Sequence, residues 1–390
     1  GIGLANRELN VANNPETKFR LGSITKQFTA TAIVLLEQRG KLKLQDTLDK
    51  HIPDAPGAWG TIQIHHLLSH TAGVPSYTSD ASYRREMFKP FPMPELIGRF
   101  RSKPLEFEPG AEWKYSNSGY VLLGDIIQRV SGMSYEEFLE KNIFKPIGMN
   151  NSGYDHFETV FPNRASGYTR AGGRWENAAY LDMTQPHAAG ALYSTVDDLY
   201  LWDQALATDR ILSSTALERM YTPVKNSYGY GWVIAEEFGT KVIGHGGGIN
   251  GFATFIARTP ADKTLVVVLS NVESTNAGKI ARDLRGILYD KPVAVPKLRQ
   301  RISMSGEKFD PFQGRYELAP GFQIRVWREG NRFLTQATGQ GQAEIFPESD
   351  TKFFLKAVDA QISFEKNPEG KVSRLILHQN GRNTPGKRIE

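Results

Sequence analysis

Three short stretches of this 390-residue chain carry the residue types that acyl transfer requires: Ser23-Ile-Thr-Lys26, Tyr115-Ser-Asn117 and His245-Gly-Gly-Gly248. The chemistry needs a hydroxyl nucleophile, a neighbouring amine to take its proton, a second polar relay and backbone donors for the oxyanion. Ser23 and Lys26 are spaced to sit one turn apart on the same face of a helix. A helix N-terminus favours the negative charge that develops near the serine oxygen. Burial would lower the Lys26 pKa until the amine becomes a base. The Tyr115 phenol can pass a proton to a leaving group, and the Asn117 amide can bind a substrate carbonyl. Glycines at 246–248 let a substrate backbone approach closely, and the Gly248 N–H, with that of Ser23, makes a pair of oxyanion donors.

Each motif alone also has a plainer reading: an N-cap serine with a surface lysine, or a loop aromatic with a turn asparagine. Context separates the readings. Ser-x-x-Lys occurs four times, at Ser23, Ser305, Ser349 and Ser363, and only Ser23 opens a long amphipathic pattern. Tyr-x-Asn occurs once, after Phe107-Glu-Pro-Gly110. Gly246 to Gly251 also fits a dinucleotide-binding fingerprint, but no helix or crossover follows it. His-Gly-Gly-Gly also fits the oxyanion loop of α/β-hydrolase esterases, a fold that needs a Gly-x-Ser-x-Gly elbow, which this chain lacks. His66 and His70 have the spacing of a metal pair but no third ligand, and read as packing or capping residues. No metal and no cofactor is expected.

The elements that must position these residues follow from periodicity. Ile24, Phe28, Ala32, Leu35 and Leu36 predict a helix over 23–39, stopped by Gly40. Shorter helices are expected over 61–70, 118–131 and 134–142, and strands over 241–245, 251–258 and 264–270. Residues 74–112, rich in proline and aromatics, read as irregular or short-helical hydrophobic cover that can also wall a cleft. Lys291 to Pro296 reads as an extended linker. About eight short strands fit between 312 and 390, with turns at Gly330-Asn331, Asn367 to Gly370 and Asn380-Gly381, as in a small antiparallel barrel or sandwich. The expected domains are 1–292, catalytic; 293–310, a linker; and 311–390, an antiparallel barrel.

Composition bounds the function class. Apolar residues make up 40% of the chain and charged residues 23%, which supports a sizeable core and argues against disorder. The absence of cysteine excludes disulfides, thiolate metal sites and a cysteine nucleophile. The net charge of +5 is spread without a basic block, so no nucleic-acid partner is expected. The longest apolar runs, such as Leu265–Leu269, are too short to span a membrane.

Taken together, Phe19 to Phe28, His66 to Gly73, Phe107 to Gly110, Trp113 to Tyr120, Pro146 to Met149, Ala189 to Thr195 and Gly244 to Gly247 resemble the class C β-lactamase-like branch of the penicillin-recognising serine hydrolases. That branch includes D-Ala-D-Ala carboxypeptidases, D-aminopeptidases and family VIII esterases. The resemblance covers about 1–290. It implies an α/β sandwich, an antiparallel sheet flanked by helices, plus an all-helical subdomain with the cleft between them. The tail resembles the lipocalin-like domain appended to some members. The resemblance further implies Ser23 as nucleophile, Lys26 as its base, Tyr115 as relay, Asn117 as substrate-amide contact and His245 where many members carry lysine. Gly247 and Gly248 line the substrate. A periplasmic or secreted location fits the family, as does a small-molecule or peptide substrate; the oligomeric state is left open. The usual Lys-Thr-Gly or His-Thr-Gly is His245-Gly-Gly here, which weakens recognition of a substrate carboxylate. Relatives usually carry a helix and strands before the serine motif, and the chain does not begin with Met, so an upstream piece is expected to have been removed. The expected activity is hydrolysis of esters, amides or D-amino-acid peptides through an acyl-enzyme. The alternatives are a penicillin-binding sensor that acylates without turnover, or a weak β-lactamase or carboxypeptidase.

Overall fold

The computed structural model describes residues 1–171, 174–293, 299–356, 358, 360–379 and 382–390. The 294–296 part of the expected extended segment and the Asn380-Gly381 turn lie outside the described residues. The chain divides into two compact units, Gly1–Val293 and Ala294–Glu390.

In the first unit the helices that matter to the site are α1 (Thr25–Gln38), α2 (Ile64–Leu68), α3 (Met93–Arg101), α4 (Asn117–Ser131), α5 (Val196–Leu206) and α6 (Ala277–Leu288). The predicted 23–39 helix begins two residues later: Gly22–Ile24 form a 3-10 turn and the α-helix starts at Thr25. From Thr25 to Leu36 every residue of α1 is buried, so it runs through the core as a helix enclosed on all sides. Phe28 stacks against Trp202 of α5 with ring centroids 4.5 Å apart. α4 is fixed at both ends by local chemistry: the Ser116 side chain accepts the Gly119 N–H, and Gly132 closes the helix at φ 69°. The His66 ring is part of a capping arrangement at the start of α2, accepting the Gln63 N–H at 3.1 Å.

The largest open sheet of this unit has four antiparallel strands, β1 (Val233–Glu237), β2 (Thr240–Ile249), β3 (Phe252–Thr259) and β4 (Thr264–Ser270), in the order β4-β3-β2-β1. The glycine run does not end a strand, as the sequence reading had it. Gly246, Gly247 and Gly248 pair in register with Phe255, Thr254 and Ala253, so β2 continues to Ile249. α6 packs on β3 and β4 from one face, and α5 packs on β4.

The second unit is a closed barrel of eight antiparallel strands: β5 (Gly314–Ala319), β6 (Phe322–Glu329), β7 (Arg332–Ala337), β8 (Ala343–Pro347), β9 (Lys352–Leu355), β10 (Ala360–Lys366), β11 (Val372–Gln379) and β12 (Arg382–Arg388). Its interior is filled by side chains, among them Phe309, Phe312, Phe333, Phe353 and Phe364. Among the described residues no helix is long and apolar enough to cross a membrane.

Candidate active site

Ser23 lies in the 3-10 turn that opens α1, and the turn is pressed against β2. A Cβ on Gly22, which has φ 55°, would come within 2.9 Å of the Gly248 nitrogen. A Cβ on Gly247 would overlap the Leu21 carbonyl oxygen and the Thr254 hydroxyl, and that hydroxyl donates to the same carbonyl at 2.7 Å. Only glycine permits this approach at either position. It brings the Ser23 and Gly248 backbones to the same cleft wall.

Lys26 is 0% exposed, and its Nζ reaches three acceptors: the Ser23 Oγ at 3.2 Å, the Asn117 Oδ1 at 2.9 Å and the Ala189 carbonyl at 2.8 Å. Burial holds its pKa well below the ordinary lysine value. In the neutral amine two N–H bonds serve Asn117 and Ala189, and the lone pair is left for the Ser23 hydroxyl. That is the arrangement of a base set to take the serine proton. The Tyr115 ring lies 4.7 Å from Nζ. Burial raises the Tyr115 phenol pKa, with the adjacent Ser23 hydroxyl pulling it slightly down, so the phenol is protonated and a donor at neutral pH. Asn117 is held from both sides: its Nδ2 donates to the Thr78 Oγ1 at 3.0 Å while its Oδ1 faces Lys26.

His245 is buried on β2. Its Nδ1–H donates to the Gly246 carbonyl at 2.6 Å, which leaves Nε2 to accept from the Tyr228 hydroxyl at 2.9 Å. Burial, and then the charge of Lys26, pull its pKa down to about 4, so the ring is neutral. Its ring centroid is 6.3 Å from that of Tyr115.

The structure therefore brings Ser23, Lys26, Tyr115, Asn117, His245, Gly247 and Gly248 to one place. It adds residues from outside the three motifs. His70 packs under Tyr115 with ring centroids 4.2 Å apart, touches Tyr120 and Tyr228, and accepts the Ser116 N–H at 3.1 Å. Thr78 orients Asn117, and the Ala189 carbonyl orients Lys26. A cleft of about 260 Å³ opens over Ser23, lined by Tyr77, Tyr83, Leu181, Pro186, Ile249 and Asn250 besides Thr78, Asn117 and Gly248, and among the described residues none that lines it is charged. A larger cavity of about 650 Å³ lies elsewhere, around the Asp203–Arg258 ion pair and Tyr221, away from the serine. Chemistry rather than size assigns the site to the smaller cleft. Among the described residues no group of three or more His, Cys, Asp or Glu is placed to hold a metal.

A helix-flanked antiparallel sheet, with a Ser-x-x-Lys turn set against its glycine-rich strand, is the architecture of the serine β-lactamases and penicillin-binding proteins. The chain belongs to this superfamily: residues 1–290 match the Beta-lactamase family, and residues 298–388 match a domain of unknown function, DUF3471. It is 31% identical to Penicillin-binding protein 4* of Bacillus subtilis, over 93% of this chain and 86% of that one. The octameric penicillin-binding protein homologue from Pyrococcus abyssi is 28% identical with a TM-score of 0.70, over 99% of this chain and 92% of that chain. The D-amino acid amidase of Ochrobactrum anthropi is 26% identical with a TM-score of 0.64, over 74% of this chain and 88% of that chain.

Proposed function

We propose that the protein is a serine hydrolase that works through an acyl-enzyme on Ser23 and accepts esters, amides or D-amino-acid peptides whose reacting end carries no carboxylate. The observation that carries the reading is Lys26, buried, short of charge and aimed at Ser23 by two fixed acceptors. Ser23 Oγ attacks the substrate carbonyl as Lys26 takes its proton. The oxyanion is met by the Ser23 and Gly248 N–H groups, whose backbones share the cleft wall. Tyr115, a protonated phenol beside Lys26, relays the proton to the leaving group. Water then enters by the reverse route and frees Ser23. Asn117 keeps Lys26 oriented and presents its remaining amide hydrogen to substrate.

The preference for substrates without a carboxylate rests on charge. Among the described residues no cation lines the cleft, Gly246 offers no hydroxyl, and His245 is neutral, with both ring nitrogens engaged. A substrate carboxylate entering here would lose water without gaining a partner. The relative named a D-amino acid amidase is in keeping with amide substrates. We assign 1–292 to catalysis and 311–390 to a lipocalin-like barrel; the expected 293–310 linker is cut back at its end, where Phe309 packs into the barrel core, and the aromatic filling of the barrel speaks against a ligand held inside it.

The test is hydrolysis of p-nitrophenyl acetate and butyrate by the chain and by Ser23→Ala, with intact-mass detection of the acyl-enzyme. Steady turnover that disappears in Ser23→Ala is the expected result. Neither turnover nor a mass shift in the parent would overturn the proposal, and a mass shift without turnover would point to the acylating sensor instead.

A further inference from the structure

Helix α2 closes with a Schellman motif: the Thr71 N–H donates to the His66 carbonyl at 2.8 Å, and the His70 N–H donates to the Leu67 carbonyl at 3.3 Å. The motif turns on one left-handed residue, a place that glycine ordinarily takes. Here that residue is His70, at φ 58°. Its ring is buried. Burial, and then the charges of Lys26 and His245, hold its pKa well below the ordinary histidine value, so the ring is neutral. Nδ1 accepts the Ser116 N–H, which puts the ring hydrogen on Nε2, and among the described residues Nε2 has no partner. His70 thus carries two penalties, a strained backbone and an unpartnered buried N–H, and glycine would remove both. Local violations of this kind persist where the side chain has a task.

The left-handed turn aims the His70 carbonyl and the His70 ring at the same segment. The carbonyl accepts the Lys114 N–H at 3.0 Å, and Nδ1 accepts the Ser116 N–H at 3.1 Å. These are the residues on either side of Tyr115. The ring lies under the Tyr115 ring, with centroids 4.2 Å apart. Tyr115 is therefore held by its backbone on both flanks and by one face of its ring. The platform is itself anchored: the Tyr120 hydroxyl of α4 donates to the Leu68 carbonyl at 2.8 Å, and the Gly110 N–H donates to the Thr71 carbonyl at 2.7 Å.

We propose that His70 is the positioning residue of the proton relay: it fixes the Tyr115 phenol where the leaving group departs, and it acts on the reaction only through Tyr115. The role rests on the acyl-enzyme reading above. Its weight then depends on how much the leaving group needs a proton. In acylation the Ser23 Oγ–carbon bond forms and the bond from that carbon to the leaving oxygen breaks. An alkoxide leaves only as it gains the proton that Lys26 took from Ser23, whereas p-nitrophenolate leaves as an anion. Ethyl butyrate and p-nitrophenyl butyrate give the same acyl-enzyme, so kcat/KM for the two compares acylation alone.

The test is kcat/KM for both esters in the full chain and in His70→Gly, His70→Asn and Tyr115→Phe. His70→Gly suits the left-handed turn but has neither the acceptor nor the ring. It is expected to lower kcat/KM for ethyl butyrate at least ~100-fold, and for p-nitrophenyl butyrate by at most about a tenth of that factor. Tyr115→Phe is expected to show the same bias. The double variant His70→Gly/Tyr115→Phe is expected to stay within about 3-fold of Tyr115→Phe on ethyl butyrate, as residues acting as one unit do. His70→Asn tolerates the left-handed turn and sets its Oδ1 where Nδ1 stood, so part of the ethyl butyrate rate is expected to return. If His70→Gly does not fold, His70→Asn decides alone by its ratio of the two rates, which a packing role would not move. Equal losses on both esters in the His70 variants, beside a biased loss in Tyr115→Phe, would overturn the proposal and leave His70 a packing residue. Absence of bias in Tyr115→Phe would overturn it by removing the relay, as would a parent that turns over p-nitrophenyl butyrate alone. A parent that turns over neither ester would overturn the acyl-enzyme reading, and the role of His70 with it.

Discussion

At the scale of single residues, the site is governed by the suppression of charge. Lys26 is buried among neutral groups and its pKa falls; His245 is buried, bonded at both nitrogens, and its pKa falls to about 4. With Lys26 as the proposed base, the active form has it unprotonated, so kcat/KM should rise with pH through the depressed Lys26 pKa and then level off. Lys26→Ala should lower kcat about 10³-fold and remove that limb. His245→Gln should keep the limb, because the native ring does not titrate between pH 5 and 8; a limb that vanishes with His245→Gln instead would reassign the base. The same shift bears on stability. His245 binds a proton at 6.5 when unfolded and at about 4 when folded, so the neutral ring supports the fold fully above pH 6.5 and that support is lost as pH falls toward 4. It is worth about 3 kcal/mol, and His187, likewise pulled to about 4 by burial, acts in the same sense. Urea midpoints measured from pH 7 to 4 should fall, and the fall should be smaller in His245→Gln when each variant is referred to its own value at pH 7. The motif residues were legible because each has a fixed spacing from a recognisable neighbour. Tyr228 and Thr78 were not, and His70 was legible only as a packing or capping residue, because their place at the site depends on contacts between segments far apart in the chain, such as His70 with Tyr115 and Tyr228 with His245.

At the scale of elements, the site is the product of one close contact between the turn before α1 and strand β2. Sequence periodicity located α1 and α4 to within a residue or two, because their apolar patterns and caps are local. It broke β2 at His245, because a glycine run carries no alternation to mark a strand; the strand is held by its register with Phe252–Thr259. The contact makes two adjacent glycines differ sharply. A methyl at 247 would collide with the Leu21 backbone, whereas one at 246 would meet the Phe255 ring at an ordinary 3.4 Å. Gly247→Ala should therefore cost about 3 kcal/mol in urea unfolding. It should also lower kcat at least ~100-fold by displacing the oxyanion donors. Gly246→Ala should cost less than about 1 kcal/mol and keep activity. Equal effects at the two positions would show that the strand is free to move away from the turn, and the oxyanion assignment would fail with it.

At the scale of the whole molecule, each unit closes its own core. The first is organised around α1 and extends through α4 and α5; the second is a barrel packed with aromatic rings. The barrel was legible as eight short strands divided by turns, but its filling was not, because the packing residues come partly from before the first strand. Phe309 stacks on Phe333 with centroids 3.9 Å apart and lies edge-on to Phe353 at 5.4 Å, so residues just ahead of β5 are part of the barrel core. Two self-contained cores of unlike size should unfold as separate cooperative units. Phe353 is fully buried between β8 and β10, and Phe353→Ala should destabilise the barrel by 3–5 kcal/mol. In calorimetry this should lower one of two transitions and leave the other, and the p-nitrophenyl butyrate activity of the first unit, where they were. A single transition that moves as a whole, with activity lost in parallel, would instead make the barrel an integral part of the catalytic fold.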